Sequence, residues 1–304
     1  MPSPSTSSDA ASMRPTTQCI VCGGEQRGSF RKDGWWYCRC ERCGLVSQFP
    51  LPDAETILEH YRRGFAAGNY RLLLDFAERY RPVYESYAAR LAELVALERG
   101  ARVLDVGCFT GEFLCLLRDH GADVYGLELQ PEAAAIAAGR LPGRVFQARV
   151  EGADFPQAEY DAITLLAVVE HVVDPVALLR RCCELLRPGG VLMVQTPDSG
   201  STLARVTGKH WPPYAPVEHL HLFSGRSLRL LLAQLGLVDL RLHRHVKRLP
   251  LAYVFEMMRS YGPQWRRLVA PFYRLLPSPV RALRLPFYGG EMIATARLGG
   301  TPHG

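Results

Sequence analysis

Val103-Leu104-Asp105-Val106-Gly107-Cys108-Phe109-Thr110-Gly111-Glu112-Phe113 is the stretch whose reading decides the fold. The apolar residues around Asp105 fit a strand covered on both faces, as in a parallel sheet. Gly107 and Gly111 allow backbone conformations and close approaches that a Cβ forbids. The residues after Gly111 then start a helix whose first N–H groups face the turn. A second apolar run, Val124-Tyr125-Gly126-Leu127-Glu128-Leu129, predicts the next strand. Glu128 stands near its end, 23 positions after Asp105. A carboxylate there can accept both ribose hydroxyls of an adenosine, which makes the strand-turn-helix a candidate nucleotide site.

The glycine spacing excludes the dinucleotide pattern Gly-x-Gly-x-x-Gly, because Phe109 stands between Gly107 and Gly111. The run resembles motif I of class I S-adenosylmethionine (SAM) methyltransferases, an acid-x-Gly-x-x-x-Gly turn. Phe109 occupies the place where that family often has a middle glycine. The resemblance implies methyl transfer from SAM. Glu128 would hold the ribose, Gly107 and Gly111 would admit the methionine part, and Asp105 would order the turn or reach the amino group through water. The implied cofactor-binding set is Asp105, Gly107, Cys108, Phe109, Gly111, Glu128, Leu129, Val150, Leu166 and Glu170.

The resemblance continues almost unbroken over residues 101–200. Pro131 opens a helix, Val145–Ala148 reads as the third strand, and Arg149-Val150-Glu151 lies where the family contacts adenine. Tyr160–Leu166 is the fourth strand. It runs into Ala167-Val168-Val169-Glu170-His171-Val172-Val173-Asp174-Pro175, similar to a segment of small-molecule methyltransferases. Some quinone-pathway members have a further Glu three residues before the Glu-His pair and bind a divalent ion. Ala167 stands at that position, which weakens a metal reading. Arg187-Pro188-Gly189-Gly190 predicts a turn and Val191–Pro197 the fifth strand. Leu237–Leu242 and Glu291–Arg297 read as the sixth and seventh strands, with a cap insertion over residues 248–286. The expected fold is a Rossmann-like α/β domain with a seven-stranded, mostly parallel, doubly wound sheet.

The stretch His210-Trp211-Pro212-Pro213-Tyr214-Ala215-Pro216-Val217-Glu218-His219-Leu220-His221-Leu222-Phe223-Ser224 contains three prolines and is not a regular helix. It follows a strand's carboxyl end, so it is expected to overhang the cleft. Ser224 caps the next helix. Histidine titrates near neutrality and suits removal of a proton from an acceptor hydroxyl or amine. That chemistry makes His219 or His221 the expected base, with Glu218 and His171 as further catalytic candidates. Glu170 and His171 border the site beyond the end of the fourth strand, and the Glu218–Ser224 run resembles methyltransferases with an N-terminal pair of cysteine knuckles. The alternative is that Glu218 and the histidines hold the lid closed by hydrogen bonding.

Cys19-Ile20-Val21-Cys22 and Cys40-Glu41-Arg42-Cys43 form a C-x2-C-x17-C-x2-C pattern, within the spacing of structural zinc sites. Cys19, Cys22, Cys40 and Cys43 would close a tetrahedron with no open position. Cys38 is a fifth candidate, disfavoured because Gly44 follows Cys43 in the manner of a knuckle. The expected organisation is a polar, disordered tail at 1–16, a zinc ribbon at 17–50, a helical linker at 51–98 and the SAM-binding domain at 99–304. Within the linker, Leu72–Ala77 and Tyr84–Leu94 show helical spacing, and the tyrosines at 61, 70, 80, 84 and 87 are candidates for a pocket mouth.

The chain has 304 residues, nine cysteines and a net charge of +6. No apolar run reaches the roughly 18–20 residues of a membrane span, and the N-terminus lacks an apolar h-region. A cytoplasmic location, with reduced cysteines, is expected. Charge is uneven: residues 241–304 hold eleven Arg or Lys against two Glu. A basic region of this kind can face RNA, a membrane surface or a phosphorylated substrate, or it can be solvated helix faces. The expected partner is a small-molecule acceptor such as a sugar or metabolite, methylated on O or N. The rivals are an RNA base methyltransferase and a non-enzymatic SAM-binding protein. The sequence lacks an Asn-Pro-Pro-Tyr base-holding motif; Pro212-Pro213-Tyr214 is a partial echo without the Asn.

Overall fold

A computed structural model describes residues 14–53, 55–57, 59–60, 63, 77–153, 155–261 and 263–300. Tyr61, Tyr70, the Leu72–Phe76 segment and most of the expected N-terminal tail lie outside the described residues. The strands are β1 (Thr16–Gln18), β2 (Glu25–Lys32), β3 (Trp35–Cys40), β4 (Val46–Phe49), β5 (Arg102–Val106), β6 (Asp123–Leu127), β7 (Val145–Phe146), β8 (Tyr160–Leu166), β9 (Leu186–Pro197), β10 (His221–Leu222), β11 (Leu237–Pro250) and β12 (Arg284–Leu298). The helices are α1 (Ala77–Ala92), α2 (Glu112–Asp119), α3 (Pro131–Arg140), α4 (Pro175–Leu185), α5 (Thr202–Thr207), α6 (Gly225–Gln234), α7 (Leu251–Tyr261), α8 (Pro263–Leu275) and α9 (Ser278–Ala282).

Seven strands form one sheet in the order β11-β12-β9-β8-β5-β6-β7. The pairs among β9, β8, β5, β6 and β7 are parallel, and β12 runs antiparallel to both β9 and β11. Alternation along the buried strands supplies two cores. Val103, Ala162, Met193 and Ile293 face α1 and α2, while Leu104, Ile163, Leu192 and Val194 face α4 and α6. The strand order reverses beside β5, so its carboxyl end opens onto the crevice where such sheets bind ligands.

Helix starts follow local chemistry. Gln130 caps α3 ahead of Pro131, and Asp174 caps α4 ahead of Pro175, accepting from the N–H groups of Val176 and Ala177. Ser224 and Ser227 form a reciprocal capping box at α6.

Three stretches differ from the sequence reading. Arg187–Gly190 is not a separate turn but the start of β9; the register shift between Tyr160 and Ala162 absorbs it as a bulge, with Gly189 at φ 75°. The last two strands outrun the expected lengths and stay paired out to Pro250 and Arg284, so the cap helices occupy only 251–282. Residues 221–222, read as part of an irregular lid, form β10. They pair with β4 and complete a second, antiparallel sheet ordered β1-β2-β3-β4-β10.

Candidate functional site

The turn after β5 is built by backbone requirements. Gly107 and Gly111 have φ of 79° and 82°. A Cβ on Gly107 would sit 2.5 Å from Val168 Cγ2, so the loop after β8 closes directly on the turn. Phe109 also adopts a left-handed φ, 49°, which a side chain disfavours. Its N–H donates to Glu128 Oε2 at 2.9 Å, and Gln130 N–H donates to Oε1 at 2.8 Å. One carboxylate at the tip of β6 thus fixes both the turn and the start of α3. A carboxylate offers about four acceptor positions, so these two donors leave it able to accept hydroxyls. Burial raises the Glu128 pKa, and the backbone bonds oppose that rise.

Asp105 is buried and accepts from Thr164 Oγ1 at 2.6 Å, across to β8. Burial pushes its carboxyl up, the Thr164 bond opposes, and the charge of Glu128 adds to the rise, leaving it at about 7. The bond ties the carboxyl ends of β5 and β8 together below the turn. Leu129 is 54% exposed at the rim, Leu166 is half-buried at the end of β8, and Cys108 is buried under the turn. Val150 is 2% exposed, so its side chain belongs to the core rather than to an open face.

The loop after β8 gathers the second group. Ala167 turns the chain at φ 56°. Glu170 is buried; its Oε2 accepts from Thr196 Oγ1 at 2.9 Å, and its backbone carbonyl accepts from Leu220 and His221 N–H. His171 Nδ1 lies 2.8 Å from the Glu218 carbonyl, and His219 Nδ1 lies 2.7 Å from the Pro213 carbonyl. A carbonyl only accepts, so each Nδ1 carries the proton and each Nε2 of the neutral ring carries the lone pair. The two rings meet edge to face at 4.7 Å, and the ligand atoms of Glu170, His171 and His219 lie within 4.8 Å of one another. Burial discourages charge on all three: it raises Glu170 to about 8, lowers His171 to about 3, and lowers His219.

The structure removes His221 as a candidate base. It is 2% exposed, with Nδ1 3.0 Å from Ser47 Oγ and Nε2 3.1 Å from the Val173 carbonyl. Nε2 therefore holds the proton and Nδ1 accepts from Ser47, whose oxygen accepts in turn from Gln26 Nε2. Burial lowers the His221 pKa to about 4, consistent with a neutral link in this chain. Sequence logic failed here because both ring partners come from segments distant in the chain. The whole 210–224 stretch is fastened in the same way. Lys32 Nζ donates to the Tyr214 carbonyl, Val217 N–H donates to Gln48 Oε1, and buried Trp211 donates to the Gly289 carbonyl. Glu218 contributes its carbonyl to His171.

The two cysteine knuckles fold alike. Gly23 N–H donates to the Cys19 carbonyl and Gly44 N–H to the Cys40 carbonyl, and both glycines have positive φ. Cys19 and Cys43 sulfurs are 3.5 Å apart, Cys22 and Cys40 sulfurs 3.4 Å, and all four lie within 4.8 Å of one another. Sulfurs at about 2.3 Å from a tetrahedral zinc stand about 3.8 Å apart, so the donor set fits that ion. Hydrogen bonding to Cys43 draws the Cys19 thiol down to about 5. Cys38 is buried and is not a member of the cluster.

Sequence reasoning missed a third group. Lys247 Nζ reaches Glu291 Oε1 at 2.7 Å, and Gln195 Nε2 donates to Glu291 Oε2 at 2.8 Å, joining β11, β12 and the end of β9. Lys247 also lies 5.6 Å from the centre of the Tyr80 ring on α1. Burial lowers the Lys247 pKa, but Glu291, Tyr80 and Tyr87 together outweigh it and hold the ammonium charged. The available signal was a lone acid, Glu291, at the head of an apolar strand.

Residues 76–242 match the model of a methyltransferase domain. A ubiquinone biosynthesis O-methyltransferase of Xanthomonas oryzae pv. oryzae is 37% identical over 123 residues, 38% of this chain and 49% of the relative. One from Xanthomonas campestris pv. campestris is 38% identical over 125 residues, 38% of this chain and 52% of the relative. The chain spans about half the length of the curated relatives it matches. A SAM-dependent methyltransferase structure from Thermotoga maritima shares the fold, with a TM-score of 0.50 at 19% identity over 75% of this chain and 98% of that one.

Proposed function

This chain belongs to the class I SAM-dependent methyltransferases, and from that premise we propose that it methylates an oxygen of a small-molecule acceptor. The observation that carries the reading is the Glu128 carboxylate, clasped by Phe109 and Gln130 N–H groups beside the Gly107–Gly111 turn. Its remaining acceptor positions suit the ribose hydroxyls of SAM. The choice of oxygen follows the relatives, which are named as O-methyltransferases.

SAM supplies a methyl group already activated by its sulfonium charge. The chain's share is to orient the acceptor in line with that methyl, exclude water and take up a proton. His219 is the base: the Pro213 carbonyl fixes its Nδ1–H, so Nε2 presents the lone pair. Burial keeps the ring neutral, which leaves the Nε2 lone pair unprotonated at neutral pH. His171 and Glu170 position it, through the ring contact and through the Glu170 carbonyl that holds Leu220 and His221. Cys19, Cys22, Cys40 and Cys43 would hold a zinc ion through four thiolates, and the ion would supply folding energy to the ribbon.

The test pairs calorimetric titration of S-adenosylhomocysteine with methyl transfer to a panel of phenols and sugar hydroxyls. Glu128→Ala weakens binding about tenfold or more, roughly 1.4 kcal/mol. His219→Gln leaves binding intact and slows transfer by about 100-fold or more. Undiminished binding by Glu128→Ala overturns the donor site, and full transfer by His219→Gln overturns the base.

A further inference from the structure

The helical cap presents a surface that methyl transfer does not use. On α8, Leu268, Phe272 and Leu275 are 64%, 72% and 82% exposed. Their spacing of four and three places them on one side of the helix. Leu283 and Leu285, where the chain leaves α9 for β12, are also exposed. Yet α8 already has an inner face. Tyr273 stacks on Phe255 with ring centres 3.9 Å apart, and Arg266 lies over Phe255 and pairs with Glu256 at 3.5 Å. The outer row is therefore an additional apolar face, not the one that docks the cap.

The charge carried by the segment that bears this row has a single sign. Residues 263–286 contain Arg266, Arg267, Arg274, Arg281 and Arg284 and no Asp or Glu. Arg266 and Arg281 are turned to the cap itself, Arg281 donating to the Leu276 and Arg274 carbonyls at 2.8 Å. Arg267, Arg274 and Arg284 are exposed. Arg267 and Arg274, seven residues apart, share one flank of the apolar row. Large apolar side chains bordered by cations, on a helix too short to span, are the pattern of an interfacial helix on an anionic bilayer. An RNA backbone would match the arginines and leave Leu268, Phe272 and Leu275 without a partner. Among the described residues no helix is long and apolar enough to cross a membrane, which fits contact from one side.

We propose that the α8–α9 face seats this protein on an anionic lipid bilayer. Leu268, Phe272 and Leu275 enter the boundary between headgroups and acyl chains, and Arg267, Arg274 and Arg284 meet lipid phosphates. The strands that carry the cap also carry Lys247 and Glu291, which reach Gln195 at the end of β9.

The experiment is co-sedimentation of the full chain with phosphatidylcholine vesicles, with and without about a third phosphatidylglycerol. The protein partitions to the anionic vesicles, and salt at about 0.5 M releases most of it. Phe272→Ser with Leu275→Ser lowers partitioning by about tenfold or more, and Arg267→Glu with Arg274→Glu does the same. Both pairs keep the wild-type melting temperature, because the residues are exposed. Failure to bind anionic vesicles, binding unchanged in Phe272→Ser with Leu275→Ser, or retention on RNA that the arginine pair abolishes and the serine pair leaves intact would each overturn the proposal.

Discussion

The two sheets of this protein are stabilised by different means. The seven-stranded sheet is built mostly from its own elements: its parallel strands are apolar runs and α1, α2, α4 and α6 cover its two faces, with Cys19, Val21, Cys40, Cys43 and Leu45 of the ribbon joining the cluster on the α4–α6 face. The five-stranded sheet is not. Its aromatic core of Tyr37, Val46, Leu222, Trp211 and Tyr214 draws three of these five residues from the far 211–222 stretch. Its edge strand β10 is likewise borrowed: His221 lies 174 positions beyond its partner Ser47. A metal held by the four cysteines would supply further stability. A small ribbon of this size cannot bury enough apolar surface alone. The lesson is that the ribbon and the His219 loop form one construction, with the cysteine cluster at one end and the proposed base at the other.

The sharpest way to break the comparison is to remove the sulfur cluster. Metal binding in small zinc modules is worth on the order of 10 kcal/mol, so Cys22→Ser with Cys40→Ser unfolds the ribbon. Zinc measured by elemental analysis falls from about one per chain to none, while S-adenosylhomocysteine binding by the larger sheet persists. Loss of that binding as well would show that the two sheets are one cooperative unit.

Acidification strains the junction next. The neutral His221 of the folded protein has its pKa near 4, below the ordinary 6.5 of the unfolded chain. The unfolded state therefore takes up the proton first. The stability tied to neutral His221 is complete above pH 6.5 and is lost as pH falls from 6.5 toward 4, by up to about 3 kcal/mol. Buried His171 and His219 add the same sign, whereas Asp105 and Glu170, raised by burial, oppose it. Urea melts from pH 7 to 4.5 should show His221→Asn losing less stability on acidification than the wild type.

Within the larger sheet, Gly107→Ala tests the turn. The new Cβ meets Val168 at 2.5 Å at a φ of 79°, and the cost should be about 1–3 kcal/mol with weakened S-adenosylhomocysteine binding. Smallest is Ser224→Ala. Ser224 Oγ caps α6 and donates to the Cys43 carbonyl, so its loss costs about 1 kcal/mol by thermal melting. An unchanged melting temperature would mean the ribbon contributes nothing through that contact.

The contrast between the sheets also explains what could be read in advance. Val103–Val106, Leu127 and Glu128 were legible because strand, turn and acid follow one another within a single supersecondary unit. The four cysteines were legible because ligand spacing is a local property. His219 and His221 could not be told apart by residue type, which suits proton transfer in both, and only the partners Ser47 and Val173 make His221 a buried hydrogen-bonded link. Lys247 and Glu291 went unnoticed because the pair forms across two strands separated by the whole cap.

The amino-acid sequence by itself determined the α/β class, the glycine turn with its acid 23 residues on, and the paired cysteine knuckles. Each rests on short-range geometry: continuous apolar strand runs, glycine's access to positive φ, and the reach of a knuckle. The tertiary structure alone decided that His219 and His171 meet while His221 is sealed, that β10 joins the ribbon, and that α8 carries an apolar row outward. Those outcomes depend on which distant backbone groups arrive to satisfy each ring nitrogen, sheet edge and side chain. No local pattern encodes such partners, because they are set by the packing of the whole chain.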